Sequence, residues 1–526
     1  LAKKRGEPMP KEGENIFEII GLILLKLAKM LYILDKKIPN SLMVELSEKD
    51  KALFIELLTF PEKDRLLSQL RKFSHREDLF IVGGAVRDFL LGKRITDLDI
   101  AVKYDIYALY QYLAEVLSFS PVPLSEEFGI YRLAKGGYTL DLTLYRGETI
   151  EEDLRERDFT FNAMAIPLEG LFECPFYLYD PFYGYSDLQK GIIRALGEEN
   201  IKKDPLRILR GYRFYALNYG YLEEKTRVYF QNQAQKLLLI APERLSMELK
   251  YILISDKAYL AFKAMDEDRV LEILFPEIIP AKGLPQPSFH HLDVFAHSLE
   301  ALKWSEIILK EPKKYLGLNE IPEIFNEEDF VIAVKLGSFL HDLGKGYTYD
   351  ESEERITFYG HESKGAELWI ARAKALRFKN EITDWVFSLI KNHMRPCHLL
   401  KEWENKTLSA RAKRNLLKAH SELFSLWIVA MADSLASRGP DKEKDYEEKL
   451  KAFFKDLLSF QQDLERVEKR ERLITGKDLI AIGFKPGPLF KEILEEVEIK
   501  AIEGVLKTKN EAISYVLERY RKELPK

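Results

Sequence analysis

A chain of 526 residues, 46% hydrophobic and 31% charged, is too long for one core and too apolar for wholesale disorder; roughly three to five packed units are expected. Eighty Lys and Arg against 85 Asp and Glu give a formal net charge of −5, which excludes a global positive field for nucleic acid and leaves local patches. Cys174 and Cys397 are the only cysteines, which excludes a disulfide framework or a Cys-rich zinc site and suits a reducing, cytoplasmic location.

The stretch from Ile16 to Leu34 is apolar, but Glu18, Lys26 and Lys29 interrupt it and no cleavage pattern flanks it. It reads as a helix covered by protein, with no membrane span. The chain starts at Leu1 with a polar preamble, so residues 1–75 are expected to be a helical extension left from a longer chain, broken at Pro39-Asn40. Leu79-Phe80-Ile81-Val82 predicts a buried strand, Gly83-Gly84 a turn and Val86 to Leu91 a short helix. Thr96 to Val102 predicts a second strand and Asp105 to Leu117 an amphipathic helix. Ile130 to Ala134 and Tyr138 to Tyr145 form a hairpin across Gly136-Gly137. Beyond Gly197 strand signals almost vanish, and periodic Leu, Ile and Phe predict helices to the C-terminus. The fold class is therefore α+β: a head over 76–200, a helical neck over 201–285, a helical domain over 286–440 and a helical tail over 441–526. Two basic runs could grip RNA: Lys202, Lys203, Arg207, Arg210 and Arg213, or Arg411, Lys413, Arg414 and Lys418. Such runs are more often solvated helix faces.

Thr96-Asp97-Leu98-Asp99-Ile100 alternates acid and apolar residues. On a strand, side chains two apart share a face, so Asp97 and Asp99 point together while Leu98 and Ile100 enter the core. Two carboxylates so placed repel unless a cation lies between them, which makes the pair a site for a hard metal. Asp141 repeats the pattern between Thr139 and Thr143 and is a candidate third acid. A lone Asp-x-Asp is more often an incidental pair on an exposed sheet face. The preceding Gly83-Gly84-Ala85-Val86-Arg87-Asp88 shifts the balance, because glycines between strand and helix let backbone N–H groups approach a triphosphate.

Val82-Gly83-Gly84-Ala85-Val86-Arg87-Asp88 followed by Asp97-Leu98-Asp99 resembles the class II tRNA nucleotidyltransferase and bacterial poly(A) polymerase family, within the DNA polymerase β superfamily. Arg157-Asp158-Phe159-Thr160-Phe161-Asn162-Ala163-Met164-Ala165, then Asp180-Pro181 with Gly184 and Asp187-Leu188, continue the likeness in order. Asp204-Pro205-Leu206-Arg207-Ile208-Leu209-Arg210 and Glu243-Arg244 complete it, and Ile474-Thr475-Gly476-Lys477-Asp478-Leu479 resembles the family's tail, here expected to bind RNA. The resemblance implies a polymerase β-like head in which Asp97 and Asp99 bind Mg2+, with Asp141 as third catalytic acid. It places Gly83, Gly84 and Arg87 on the triphosphate, Arg157, Asp158 and Asn162 on ribose and phosphates, and Arg210 among the nucleotide-binding residues. The implied reaction is two-metal, in-line attack of the tRNA 3′-hydroxyl on the nucleotide α-phosphate, releasing pyrophosphate.

The resemblance also makes Asp204 and Arg207 a protein substitute for a Watson–Crick partner. Three apart on one helix, they would face the same way. The carboxylate accepts from the N4 amino group of cytosine and the guanidinium donates to N3 and O2; uracil inverts the pattern, and adenine is served only if the pocket adjusts. Without the upstream motifs such a spacing is an ordinary surface ion pair. Two positions depart from the family: Lys203 replaces Glu and Glu156 replaces Arg. Only 17 steps separate Asp141 from Asp158, with Gly147-Glu148-Thr149 closing the connection. Complete CCA-adding relatives carry a longer flexible segment there, thought to reshape the pocket from CTP to ATP. The shortening resembles the CC-adding branch, which implies tRNA lacking part or all of its 3′ CCA as substrate and CTP, rather than ATP, as donor.

His297, His341-Asp342, His361, His393 and Asp433 follow in the helical half. Leu340-His341-Asp342-Leu343-Gly344-Lys345, Gly360-His361-Glu362 and Asn392-His393 resemble an HD domain, a helical metal-dependent phosphohydrolase fold. The likeness implies that these six residues bind a divalent metal of unspecified identity. Adjacent His and Asp diverge by about 100° on a helix yet both reach an ion at its edge. Lys345 could steer phosphate, whereas His75, His398 and His420 read as ordinary core or surface residues. Three alternatives stay open: complete CCA addition, poly(A) synthesis, or an HD phosphohydrolase whose head binds RNA or nucleotide without turnover. No Arg-rich C-terminal extension argues for indiscriminate RNA, and nothing in the sequence fixes the oligomeric state.

Overall fold

The computed structural model describes residues 42–73, 79–104, 106–125, 129–173, 175–351, 355–419, 422–469 and 473–523. The apolar stretch 16–34 lies outside them. The chain divides into two compact units, Leu1–Leu237 and Leu238–Lys526. The division falls inside the stretch assigned above to a neck.

The first unit is built on an eight-stranded sheet of β1 (Met43–Leu46), β2 (Leu79–Val82), β3 (Asp97–Val102), β4 (Ser120–Ser125), β5 (Ile130–Lys135), β6 (Tyr138–Leu144), β7 (Ala165–Pro167) and β8 (Phe176–Tyr179). The strand order is β1-β8-β7-β2-β3-β6-β5-β4, and only β3 and β6 run parallel. Four apolar residues in a row place β2 at the centre, buried throughout. In β3 the alternation holds, with Leu98 and Ile100 buried and Asp97 exposed. The hairpin of β5 and β6 turns at Gly136-Gly137 as expected.

The expectation of helix through residues 1–75 is corrected at Met43–Leu46, which forms a sheet-edge strand with Met43 opposite Tyr179. Four residues are too few for a period to declare itself; the ladder to β8 and burial of Met43 beside Tyr177 and Tyr179 fix the conformation. Ser47 then opens α1 (Glu48–Leu57) through a capping box with Asp50, and α2 (Lys63–Arg71) follows. Farther on lie α3 (Gly84–Leu90), α4 (Ile106–Leu117), α5 (Ile150–Arg155), α6 (Glu198–Lys203) and α7 (Leu206–Ala216).

Among the described residues, the second unit is helical apart from one pair of two-residue strands, Asp350–Glu351 and Ile356–Thr357. Its centre comprises α8 (Val294–Lys310), α9 (Glu328–Leu340), α10 (His361–Ala375), α11 (Asn380–Asn392) and, after α12 (Ala410–Ala419), α13 (Leu423–Ala436). Trp369 and Trp427 are fully buried among them. Then come α14 (Tyr446–Lys469) and α15 (Pro488–Ile502), and the tail closes its own small core around Leu479, Ile493, Val497 and Val516. Among the described residues no helix is long and apolar enough to cross a membrane.

Neither basic run is a free cationic face. In the first, Lys202 pairs with Glu199, Lys203 with Glu156 and Arg210 with Asp158. In the second, Lys413 pairs with Asp456, Arg414 lies buried on Glu498 at 2.6 Å and Lys418 meets Glu495 at 2.5 Å. Apart from Lys202, whose partner is on its own helix, these cations tie separate segments together, a use that a linear run of lysines and arginines does not reveal.

Candidate active site and metal centre

The head site starts at Gly83, which ends β2 with φ of +67°, a conformation glycine adopts without strain. A Cβ there would lie 2.9 Å from Arg157 Nη1 and 3.0 Å from Asp99 Oδ2, so the glycine also keeps open the space between a guanidinium and a carboxylate. The parallel register sets Asp99 beside Asp141 and Asp97 beside Thr139, whose hydroxyl donates to Asp97 Oδ1 at 2.7 Å. Burial pushes the Asp99 carboxyl up to about 6; the Asp141 and Asp97 charges add to the shift, while Arg157 and the Gly84 N–H oppose it. Asp141 is gripped in bidentate fashion by Arg132, the residue opposite it on β5, at 2.7 and 2.6 Å. Sequence reasoning missed Arg132, although the hairpin register could have found it.

A second row runs from Arg87 inward. Its Nε and Nη2 reach Asp88 at 3.0 and 3.1 Å, and Nη1 donates to Asn162 Oδ1 at 2.8 Å. Asn162 Nδ2 donates to Asp158 Oδ1 at 2.9 Å, and Arg210 Nε to Asp158 Oδ2 at 2.9 Å. Burial works to raise the Asp158 carboxyl, but the Arg210 and Arg207 charges and the Asn162 hydrogen bond outweigh it and hold it well below the usual carboxylate range. Arg157 is aimed by the buried Asp153 at 3.0 Å.

Asp204 and Arg207 do not share a helix, which corrects the expectation. Asp204 caps the end of α6 with φ of −136° and ψ of 90°, and α7 begins only at Leu206. Pro205 is the reason, since the residue before proline is driven out of the helical region. The Arg207 guanidinium donates to three backbone carbonyls, those of Arg157 at 3.0 Å, Asn200 at 3.2 Å and Glu156 at 2.7 Å. Lys203 Nζ sits 2.8 and 2.7 Å from the Glu156 carboxylate oxygens, so the two residues that depart from the family pattern answer each other.

All six histidine and aspartate residues singled out in the helical half converge. His297 comes from α8, His341 and Asp342 from the end of α9, His361 from the start of α10, His393 from the end of α11 and Asp433 from α13. Five of them form two triads, His297-His341-Asp342 and Asp342-His361-His393, joined by Asp342. Its Oδ2 lies 3.2 Å from His341 Nε2, and its Oδ1 lies 3.5 and 3.6 Å from His361 and His393. Asp433 Oδ1 approaches His297 Nε2 at 3.0 Å. Gly344 permits this gathering: a Cβ there would meet the His361 carbonyl at 2.0 Å.

The ring tautomers are legible. Nδ1 of His341, His361 and His393 faces the carbonyls of Ser338, Phe358 and Ile390 at 2.8, 2.9 and 2.7 Å. A carbonyl only accepts, so each Nδ1 carries its proton and each Nε2 points inward; burial opposes charge on His341, but Asp342 and Asp433 outweigh it and raise the ring to about 9, so its Nε2 holds a proton that a cation must displace. The Nε2 atoms of His361 and His393 are 3.2 Å apart, and those of His297 and His341 3.3 Å, separations at which lone pairs need a proton or a cation between them. Lys345, at 2.7 Å from Asp342 Oδ2, and His290, packed on His297 with ring centroids 4.6 Å apart, complete the wall.

Comparison with known proteins matches this geometry. Family models match in order: the Poly A polymerase head domain over residues 79–194, the "Probable RNA and SrmB- binding site of polymerase A" over 221–282, the HD domain over 294–438 and tRNA nucleotidyltransferase domain 2 over 442–517. The chain is 31% identical over 457 residues to an A-adding tRNA nucleotidyltransferase of Deinococcus radiodurans, covering 85% of this chain and 96% of the relative. It is also 31% identical over 461 residues to a CC-adding tRNA nucleotidyltransferase of Thermus thermophilus, covering 84% and 93%. A solved complex of a CCA-adding enzyme with ATP superposes with a TM-score of 0.64 at 25% identity, over 91% of this chain and 98% of that one. With relatives matched over nearly their whole length, and head and HD models falling on the two clusters, the chain belongs to the class II tRNA nucleotidyltransferase and poly(A) polymerase family and is a nucleotidyltransferase with an HD domain.

Proposed function

We propose that this protein adds cytidine nucleotides from CTP to the 3′ end of tRNA lacking its CCA and stops before adenosine. The carrying observation is the connection from β6 to α5. Residues 145–149 close it, Thr149 and Glu152 form a capping box, and Glu152 also accepts from the Glu148 N–H at 2.7 Å. A connection so short and so bonded offers no lever for refitting the pocket to a second base.

Asp97 and Asp99 are the residues that would hold Mg2+, with Asp141 beside them. Burial, helped by the Asp141 and Asp97 charges, pushes Asp99 up to about 6, and carboxylates so clustered suit a divalent ion. When bound, the ion lowers the pKa of the attacking hydroxyl and offsets charge on the departing phosphate. The chain's own residues do the positioning. Gly83 keeps a triphosphate path open between Asp99 and Arg157, and Arg157 and Arg87 are pre-aimed by Asp153 and by Asp88 with Asn162. After its three bonds to carbonyls, Arg207 retains Nε–H and one Nη2 hydrogen, two donors that suit N3 and O2 of cytosine. Asp204, whose charge acts on Arg207, would accept from the N4 amino group.

The test supplies Mg2+ with tRNA lacking CCA, or tRNA ending in CC, and gives CTP alone, ATP alone or both. Two additions from CTP, and none from ATP on either RNA, are expected. A single adenosine on the CC-ending RNA would mean A-addition, three residues would mean CCA-addition and a long ATP-fed tail poly(A) synthesis; each overturns the CC reading.

A second activity, hydrolysis of a phosphate ester, is favoured by the buried HD cluster. The cluster opens on a cavity of about 940 Å3 whose wall carries Lys345, Lys391, Arg395 and Lys401. Release of p-nitrophenol from its mono- or diester with Mn2+, Co2+ or Ni2+ tests it. His341→Ala should abolish release and keep CTP incorporation.

A further inference from the structure

We infer that the ion pair between Lys203 and Glu156 is a positioning element that sets nucleotide choice, by bracketing Asp204 against Arg207. The inference rests on the reading above that these two residues face the base.

The geometry begins at the end of α5, where the carbonyls of Arg155, Glu156 and Arg157 lie at or beyond the last helical turn and need donors. Side chains at 200, 203, 207 and 210, spaced as one helical face across the junction of α6 and α7, grip this segment. Asn200 Nδ2 donates to the carbonyls of Arg155 at 2.7 Å and Arg157 at 2.9 Å. Arg207 donates to those of Glu156 and Arg157, and Arg210 takes the Asp158 carboxylate. Lys203 alone of the four meets the Glu156 side chain.

Pro205 breaks the helix between Asp204 and Arg207, and one turn bond, from the Arg207 N–H to the Asp204 carbonyl at 3.0 Å, joins their backbones. Glu156 braces the side chains on both sides of that turn. Its carbonyl anchors Arg207 on one side of Asp204, and its carboxylate anchors Lys203 on the other. Breaking the pair removes the side-chain brace on the Lys203 side of the turn and frees the Glu156 carboxylate to draw on Arg207. The pair itself is exposed, with 58% of the Lys203 side chain and 33% of the Glu156 side chain accessible, so it adds little to stability. Its removal should therefore be felt in selection before folding.

The experiment compares the parent with Lys203→Glu, Glu156→Lys and the double swap, measuring incorporation of CTP, ATP and UTP on tRNA lacking CCA. Each single variant is expected to lower kcat/KM for CTP about five- to tenfold, mainly through KM, and to raise the relative use of ATP or UTP. The double swap should return both to within about twofold of the parent, with melting temperatures of all four within about 2 °C. A merely structural tie would slow every nucleotide alike and move the melting temperature. Unchanged nucleotide choice in the single variants, or no recovery in the swap, overturns the inference while leaving the nucleotidyltransferase reading intact. A parent that neither adds nor binds nucleotide removes that reading and this inference together.

Discussion

The head and the helical half each gather acidic and basic donors, but they treat them in opposite ways. In the head, Asp97 stands on an exposed strand position, Asp99 beside it is pushed up to about 6, Arg132 grips Asp141, and Arg87 and Arg157 are held by acids of their own, Asp88 and Asp153. In the HD cluster His297, His341 and Asp342 are 0%, 1% and 2% accessible, and backbone carbonyls have already chosen the tautomer of three rings. One cluster leaves acidic groups open to solvent and to a large polar ligand; the other is oriented in advance by the backbone around it. Burial decides the difference. A carboxylate facing solvent tolerates repulsion until a ligand arrives, whereas buried ligands must be oriented by the fold itself.

The separation is broken or upheld most sharply by Asp97→Ala. CTP incorporation should fall by roughly three orders of magnitude or more, as for loss of the charge-stabilising group of an active site, while metal bound to the HD cluster stays at the parent level by elemental analysis. Equal loss of metal from both clusters would mean that they are not independent. The reciprocal change comes next. Asp342→Asn touches both triads and should lower HD metal affinity about a hundredfold, whereas His361→Ala touches one and should remove about half of the bound metal; both should retain incorporation. If His361→Ala empties the cluster completely, the two triads serve a single ion.

Gly83→Ala should have an effect of middle size. The forced φ of +67° with ψ of −131° costs about 1–3 kcal/mol for a residue with Cβ. The added methyl also presses on Arg157 and Asp99, so incorporation should drop roughly thirtyfold with the HD metal content unmoved. An unaffected rate would show that the nucleotide does not approach the β2–α3 turn.

These contrasts were unequally visible in the sequence. The alternation around Asp97 and Asp99 and the glycines before them were legible because a period of two and a tight turn are local facts. The six histidine and aspartate residues of the HD motif were singled out as a group and the fold brings them together, yet that Asp342 joins two triads depends on its two oxygens facing different helices, which no linear spacing encodes. Met43–Leu46 was lost to helix because its conformation is set by β8, more than 130 residues away. The basic runs misled because Lys418 and Arg414 find their acids on α15, far along the chain. Asp204 and Arg207 were placed on one helix although Pro205 between them carried the warning. Lys203 and Glu156 looked like two separate departures; only the fold makes them one pair.

The smallest effect concerns pH and turns on a sign. Asp99 is raised above its unfolded value, so in the metal-free protein its protonated form favours folding, and that contribution is lost as pH rises from about 4 through about 6. A divalent ion needs the opposite form and must displace the proton. Between pH 7.5 and pH 5 the head's apparent affinity for Mn2+ should therefore fall about tenfold, one pH unit below the Asp99 value. His361 moves the other way: burial, the His393 ring and Lys345 lower it to about 4 despite the Asp342 charge, so its Nε2 stays available at pH 5. Mn2+ titrations followed by electron paramagnetic resonance, with Asp342→Asn to silence the HD cluster and Asp97→Ala to silence the head, separate the two curves. A head affinity that stays flat to pH 5 would mean that Asp99 is ionised in the free protein, and the contrast between an open, underbalanced site and a preset one would then have to rest on exposure alone.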